Sequence, residues 1–219
     1  MPRESTDLRR AIEEIFEGHA FQQPLFYQYP GGLRFELSEG STAIAQFLSA
    51  MAKSRTICED IFDAEDSLVA CLRVPSPQSP FAHRNALHEL RGAGIRIPPD
   101  RTIWKEPITD PDWSGDEGEQ GWWISIAFRA PHSLLPSFLW CAMAADLGSI
   151  RPRPHCSIYL FHLGRRVMVW PYDDRGMDVV GPNKEFLAQL YRRHHRNLLD
   201  YDRVAMEKSF GQPPGARHP

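Results

Sequence analysis

The run Tyr172-Asp173-Asp174-Arg175-Gly176-Met177-Asp178 gathers three carboxylates and a guanidinium within a short stretch of chain. Carboxylate oxygens at that density can hold a hard divalent cation, with Arg175 beside them to face a phosphate. That would be the chemistry of a metal-dependent hydrolase or phosphoesterase. The same residues also make good turn chemistry. Aspartates bond their own backbone, Gly176 supplies positive φ, and Arg175 pairs with a carboxylate. No His or Glu stands at a complementary spacing, so the turn is the favoured reading and no metal is expected.

A second polar group comes from Leu33-Arg34-Phe35-Glu36-Leu37, whose alternation places Arg34 and Glu36 on one face of a strand. With Arg55 from the helix that follows, they would line a small polar pocket, which we take together with Asp173, Asp174, Arg175 and Asp178 as one candidate constellation. The competing reading is the solvated face of an amphipathic strand.

Between Pro107 and Gly121 lie Asp110, Asp112, Asp116, Glu117 and Glu119, with no Lys or Arg among them. Asp110, Asp112, Ser114 and Gly115 imitate the first half of a calcium loop, but the position that needs a bidentate Glu is Gly121. Electrostatics offers a better use. Carboxylates steer a basic protein towards the loop, and Trp113, with Trp122 and Trp123 close by, supplies anchoring area. A solvated loop before a buried strand is the bland alternative.

Other features point to less. Arg192-Arg193-His194-His195-Arg196 ends a helix, where cations complement the dipole. His83 and His88 are spaced unlike a zinc pair, and neither a glycine-rich phosphate loop nor a nucleophile elbow occurs, so no cofactor is expected. The net charge of −3 argues against a nucleic-acid binder. Cys58, Cys71, Cys141 and Cys156 are widely spaced among apolar neighbours and read as buried free thiols in a reducing compartment. No apolar run is long enough to span a bilayer, and the N-terminus has no apolar leader core, so a cytoplasmic location is expected.

The elements that must position these groups follow from periodicity. Helices are expected at 7–17, 41–62 (capped by Ser41, with Ile44, Phe47, Leu48, Met51, Cys58, Ile61 and Phe62 on its buried stripe), 82–91, 134–147, and from Pro182 to about His195. Strands are expected at Leu33–Leu37, Leu68–Val74, Trp122–Phe128, Ser157–His162, Arg166–Tyr172 and Met177–Val180. The pattern predicts a single α+β domain over residues 1–210, with a mostly antiparallel sheet, a C-terminal meander and four to six helices, then a disordered tail at 211–219.

Three segments resemble a bacterial family known as domain of unknown function 3885. They are Pro24-Leu25-Phe26-Tyr27 with Leu33 to Leu37, the helix carrying Lys53, Arg55 and Ile57, and Tyr172 to Asp178 followed by Leu198-Leu199-Asp200-Tyr201-Asp202-Arg203. The resemblance covers most of 24–210 and implies one domain over that span. The family usually carries a Trp just before the last segment, where this chain has Asn197-Leu198.

The expected function is therefore that of a non-catalytic cytosolic binding protein, an immunity-type antidote that occludes a basic toxin or effector protein, with neither membrane nor nucleic acid as partner. The metal-dependent hydrolase built on Asp173, Asp174, Arg175 and Asp178 is the alternative. A small-ligand sensor using Arg34, Glu36 and Arg55 is the third.

Overall fold

The computed structural model describes residues 7–63, 67–76, 82–109 and 121–211. The chain runs α1 (Leu8–Phe16), α2 (Leu25–Gln28), β1 (Leu33–Glu36), α3 (Ala43–Phe62), β2 (Ser67–Ser76), α4 (Ala82–Gly92), β3 (Thr102–Pro107), β4 (Trp122–Pro131), α5 (Leu135–Met143), β5 (Ser157–His162), β6 (Val167–Pro171), β7 (Gly176–Val180), α6 (Lys184–Arg193) and α7 (Arg203–Phe210), with short 3-10 turns before α5 and before α7. All seven strands join one antiparallel sheet in the order β1-β7-β6-β5-β2-β4-β3. The predicted α+β class and C-terminal meander β5-β6-β7 are thus observed.

Alternation along the strands divides the molecule into two layers. On one face Leu33, Phe35, Ala70, Leu72, Phe128, Leu160, Val169, Met177 and Val179 pack with residues of α3, α5 and α6. On the other, Val69, Cys71, Ala127, Tyr159, Phe161, Met168 and Val180 meet Leu8, Ile12 and Phe16 of α1 and Leu25 of α2.

Several elements depart from expectation for identifiable reasons. Thr42, not Ser41, caps α3, its hydroxyl accepting from Ala45 N–H at 3.2 Å. Phe47, Cys58, Ile61 and Phe62 of the predicted stripe are buried, but its N-terminal part departs from expectation. Small residues Ala50 and Ser54 face the sheet with Phe47, Ile57, Cys58 and Ile61, whereas Ile44 and Leu48 are 74% and 61% exposed. α5 stops at Met143, short of Gly148, and α6 begins at Lys184, capped by Asn183, so that Pro182 precedes the helix rather than opening its first turn.

Three elements lack a sequence signal strong enough to show. α2 has one turn, α7 has only Met206 as a buried residue, and β3 is an edge strand in which Trp104 alone is buried between exposed Ile103 and Lys105. Cys58, Cys71 and Cys141 are buried free thiols, and burial pushes the Cys141 thiol up to about 12. Cys156 is half-buried and lies just before β5 rather than inside an element. Among the described residues no helix is long and apolar enough to cross a membrane.

Candidate functional site

The face under α1 and α2 carries a polar and aromatic band from one sheet edge to the other. Register alone aligns much of it. Arg34 on β1 pairs with Asp178 on β7, Asp178 with Trp170 on β6, Arg73 on β2 with Ser157 on β5 and with Ser125 on β4, and Trp123 on β4 with Glu106 on β3. Tyr159 on β5 stacks on Trp170, their planes 8° apart. Strand residues two apart share a face, so each strand contributes one or two members.

At the β1 edge the band closes into a buried ionic cluster. Arg34 donates from Nε to Asp178 Oδ1 at 2.8 Å and from Nη2 to Oδ2 at 3.0 Å, while its Nη1 reaches Asp202 Oδ2 at 3.0 Å. Asp178, with no solvent exposure, also accepts from the Phe26 N–H at 3.1 Å, and Asp202 accepts from the Tyr27 hydroxyl at 2.8 Å. The guanidinium lies over the rings of Phe26 and Tyr27, at 5.0 and 5.2 Å from their centroids. Burial pushes the Asp178 carboxyl above the usual range, opposed by Arg34 and the Phe26 N–H. Burial would lower the Arg34 pKa, but Asp178, with Tyr172 and Asp202, outweighs it and holds the guanidinium above its ordinary value. The cluster ties α2 and the start of α7 to β1 and β7, so its geometry is that of a brace.

The Asp-Asp-Arg-Gly segment is a separate, closed turn. Asp173 accepts from Arg175 N–H through Oδ1 and from Arg175 Nε through Oδ2, both at 2.8 Å, with Arg175 Nη2 on the same oxygen. Arg175 also reaches Asp146 at 3.3 Å, and its carbonyl accepts from Leu37 N–H, carrying the β1 edge one residue further. Asp174 is buried beside Asp173, and burial followed by that neighbouring charge raises its pKa.

The structure therefore splits the predicted constellation. Asp178 joins Arg34, whereas Asp173 and Arg175 satisfy each other. Glu36 is exposed on the edge strand, and Arg55 is exposed on α3, in the layer across the sheet, where it pairs with Glu59 at 2.6 Å. Among the described residues no three His, Cys, Asp or Glu side chains gather as a metal site. Millimolar Mg²⁺, Mn²⁺ or Zn²⁺ is accordingly expected to leave the melting temperature unchanged, since only a ligand of the native state stabilises it. A rise in the parent that vanishes in Asp174→Asn would establish a metal on the turn.

Of the basic run ending α6, His194 turns inward, its Nε2 lying 2.7 Å from Asp60 Oδ2, with Arg193 Nε at 2.9 Å from the same oxygen. This pins α6 to α3. Asp110, Asp112, Trp113, Asp116, Glu117 and Glu119 lie outside the described residues. Pro107, Thr109 and Trp123, which flank that segment in the chain, line a cleft at the other end of the band.

At the centre of that end is Arg73, 6% exposed, which the reading of isolated motifs missed. It lies 4.5 Å from the Phe21 centroid and 4.9 Å from that of Trp123. Its Nη2 donates to Glu106 Oε2 at 3.1 Å and its Nε to Ser125 Oγ at 3.2 Å. A signal for it did exist. Arg73 is the only charge in the strand Leu68-Val69-Ala70-Cys71-Leu72-Arg73-Val74, and a charge inside so apolar a run is buried only if paired.

Fold and site together define an antiparallel α+β domain with a braced polar band beneath its N-terminal helices. The chain belongs to the family described as Domain of unknown function (DUF3885), whose sequence model matches residues 8–202. No match was found to a curated protein or to a solved structure.

Proposed function

We propose that this chain is a cytoplasmic binding protein without chemistry of its own, a bacterial immunity-type antidote that occludes a basic toxin or effector. The observation that carries the reading is the commitment of Asp173 and Asp178, two of the three candidate catalytic carboxylates. Asp178 is held by Arg34 and Asp173 by Arg175, and Asp174 is buried beside Asp173. Groups so bonded stabilise the fold and are poorly placed to take up a metal or move a proton. The hydrolase reading loses its cluster on the same ground.

The acidic Pro107–Gly121 loop, which lies between β3 and β4 in the chain, remains the proposed capture element. Co-expression with the products of neighbouring genes, followed by affinity capture and binding kinetics, tests this. Neutralising Asp112, Asp116 and Glu117 is expected to slow association and flatten its salt dependence, while Trp113→Ala mainly speeds dissociation. Rates unchanged in both variants would remove the segment from the interface. Turnover of a phosphoester by the pure chain, lost in Asp174→Asn, would replace the binding reading altogether.

A further inference from the structure

The cleft beside Arg73 has a volume of about 660 Å³ and lies between the α1–α2 segment and the strands β6, β5, β2, β4 and β3. That volume falls within the range of about 300–1,000 Å³ common to small-ligand sites. We propose that it binds a neutral, hydroxyl-rich ring, a pyranose sugar or short oligosaccharide, a reading independent of the protein-partner proposal.

Three properties carry the inference. The first is shape and surface. Half-buried Trp170 lines the cleft as an aromatic wall, with the buried ring of Tyr159 parallel to it at 5.8 Å between centroids. Aromatic rings accept the apolar C–H face of a pyranose, a ring with one greasy side and a polar perimeter.

The second is charge. Arg73 and Glu106 are opposite charges 3.1 Å apart inside the cleft, and among the described residues its other lining side chains are uncharged. A phosphate or carboxylate ligand would have to disrupt that pair, whereas a neutral ligand can use it as it stands, accepting from the guanidinium and donating to the carboxylate.

The third is the mixture of hydrogen-bonding groups on opposing walls. Gln23 and Gln28 come from the helical side, Ser157 and Glu106 from the strands. Amides and hydroxyls both donate and accept, as sugar hydroxyls do. Gln23 Nε2 donates to the Tyr159 hydroxyl at 3.1 Å, and burial pushes that phenol up to about 12, so it keeps its proton through the neutral range. A flat nucleobase would engage polar groups only around its rim, in one plane, and would leave one of these walls unused. Arg73 is already fixed by Phe21, Trp123, Ser125 and Glu106, so the site is organised before a ligand arrives.

Saturation-transfer NMR and intrinsic tryptophan fluorescence on the full chain test the proposal. The probes are the methyl glycosides of glucose, galactose, mannose, xylose and N-acetylglucosamine, their disaccharides, and adenosine for comparison. At least one sugar is expected to bind saturably. Trp170→Ala should weaken it by roughly tenfold and Trp170→Phe by much less. Gln23→Ala, on an exposed residue that gives up a single hydrogen bond to the Tyr159 hydroxyl, should weaken it severalfold and supplies the answer if Trp170→Ala fails to fold. Absence of saturable binding to every sugar, sugar binding that both the Trp170 and Gln23 variants leave unchanged, or tighter binding of adenosine would each overturn it.

Discussion

Replacing Arg34 by methionine is expected to lower folding stability by about 3–5 kcal/mol, because it strands a buried charge rather than merely removing a contact. Asp178 has no solvent exposure, and Arg34 supplies two of the three hydrogen bonds that it receives, the third coming from Phe26 N–H. Water cannot replace the lost donors at such a site. Urea denaturation at neutral pH gives the magnitude, and a loss under about 1 kcal/mol would place the pair among exposed bridges of little consequence.

The pH dependence has a definite sign. Burial already raises the Asp178 pKa, and removing the opposing cation raises it further. A folded state that holds a proton more tightly than the unfolded chain loses stability as pH rises from about 4, the ordinary Asp value, through the raised one. The deficit of Arg34→Met relative to the parent should therefore narrow on acidification. A second substitution, Asp178→Leu, should recover much of the deficit at neutral pH, since it removes the charge left without its partner.

Gly181→Ala is expected to cost about 2–5 kcal/mol, combining overpacking of about 1–3 kcal/mol with backbone strain of similar size. Gly181 follows β7 at φ +155°, and a Cβ there would lie 2.2 Å from the Arg166 carbonyl oxygen and 2.9 Å from Val167 Cα. Both obstacles are backbone at the start of β6, so a rotamer change cannot relieve them. The strands would have to part where Met168 pairs with Val180, two residues from the Trp170–Asp178 pair that carries the band. Gly94→Ala is the control. Its φ of +80° is also left-handed, but nothing lies within 4 Å of the added methyl, so strain of about 1–2 kcal/mol is the whole cost. Thermal or chemical melts of the two variants separate the terms, and equal losses would show that contact with Arg166 is relieved.

Much of the fold can be read directly from periodicity. The charge alternation of Leu33 to Leu37 and the apolar runs around Cys71, Leu160 and Val169 mark β1, β2, β5 and β6, because a strand exposes its two faces to different surroundings at every second residue. β3 escaped because a solvent-facing edge strand buries little. The exposure of Ile44 and Leu48 on α3 escaped because Leu48 and Ala50 are both apolar, and only tertiary packing chooses between a large and a small side chain.

Site residues divide along a similar line. The composition of Tyr172 to Asp178 announces that something local happens there, and the turn closed by Asp173 and Arg175 needs only neighbours in sequence. Asp178 belongs to the same run, yet its partners are Arg34 and Phe26, 144 and 152 residues away. Arg73 and Glu106 are likewise 33 residues apart, and Tyr159 meets Gln23 across 136. Local order thus follows from residue types at short spacing, because backbone geometry and side-chain reach act within a few residues. Which of the carboxylates is buried, which guanidinium neutralises it, and where aromatic rings meet a cleft depend on strand order and register, and those are decided only when the whole sheet closes its two layers.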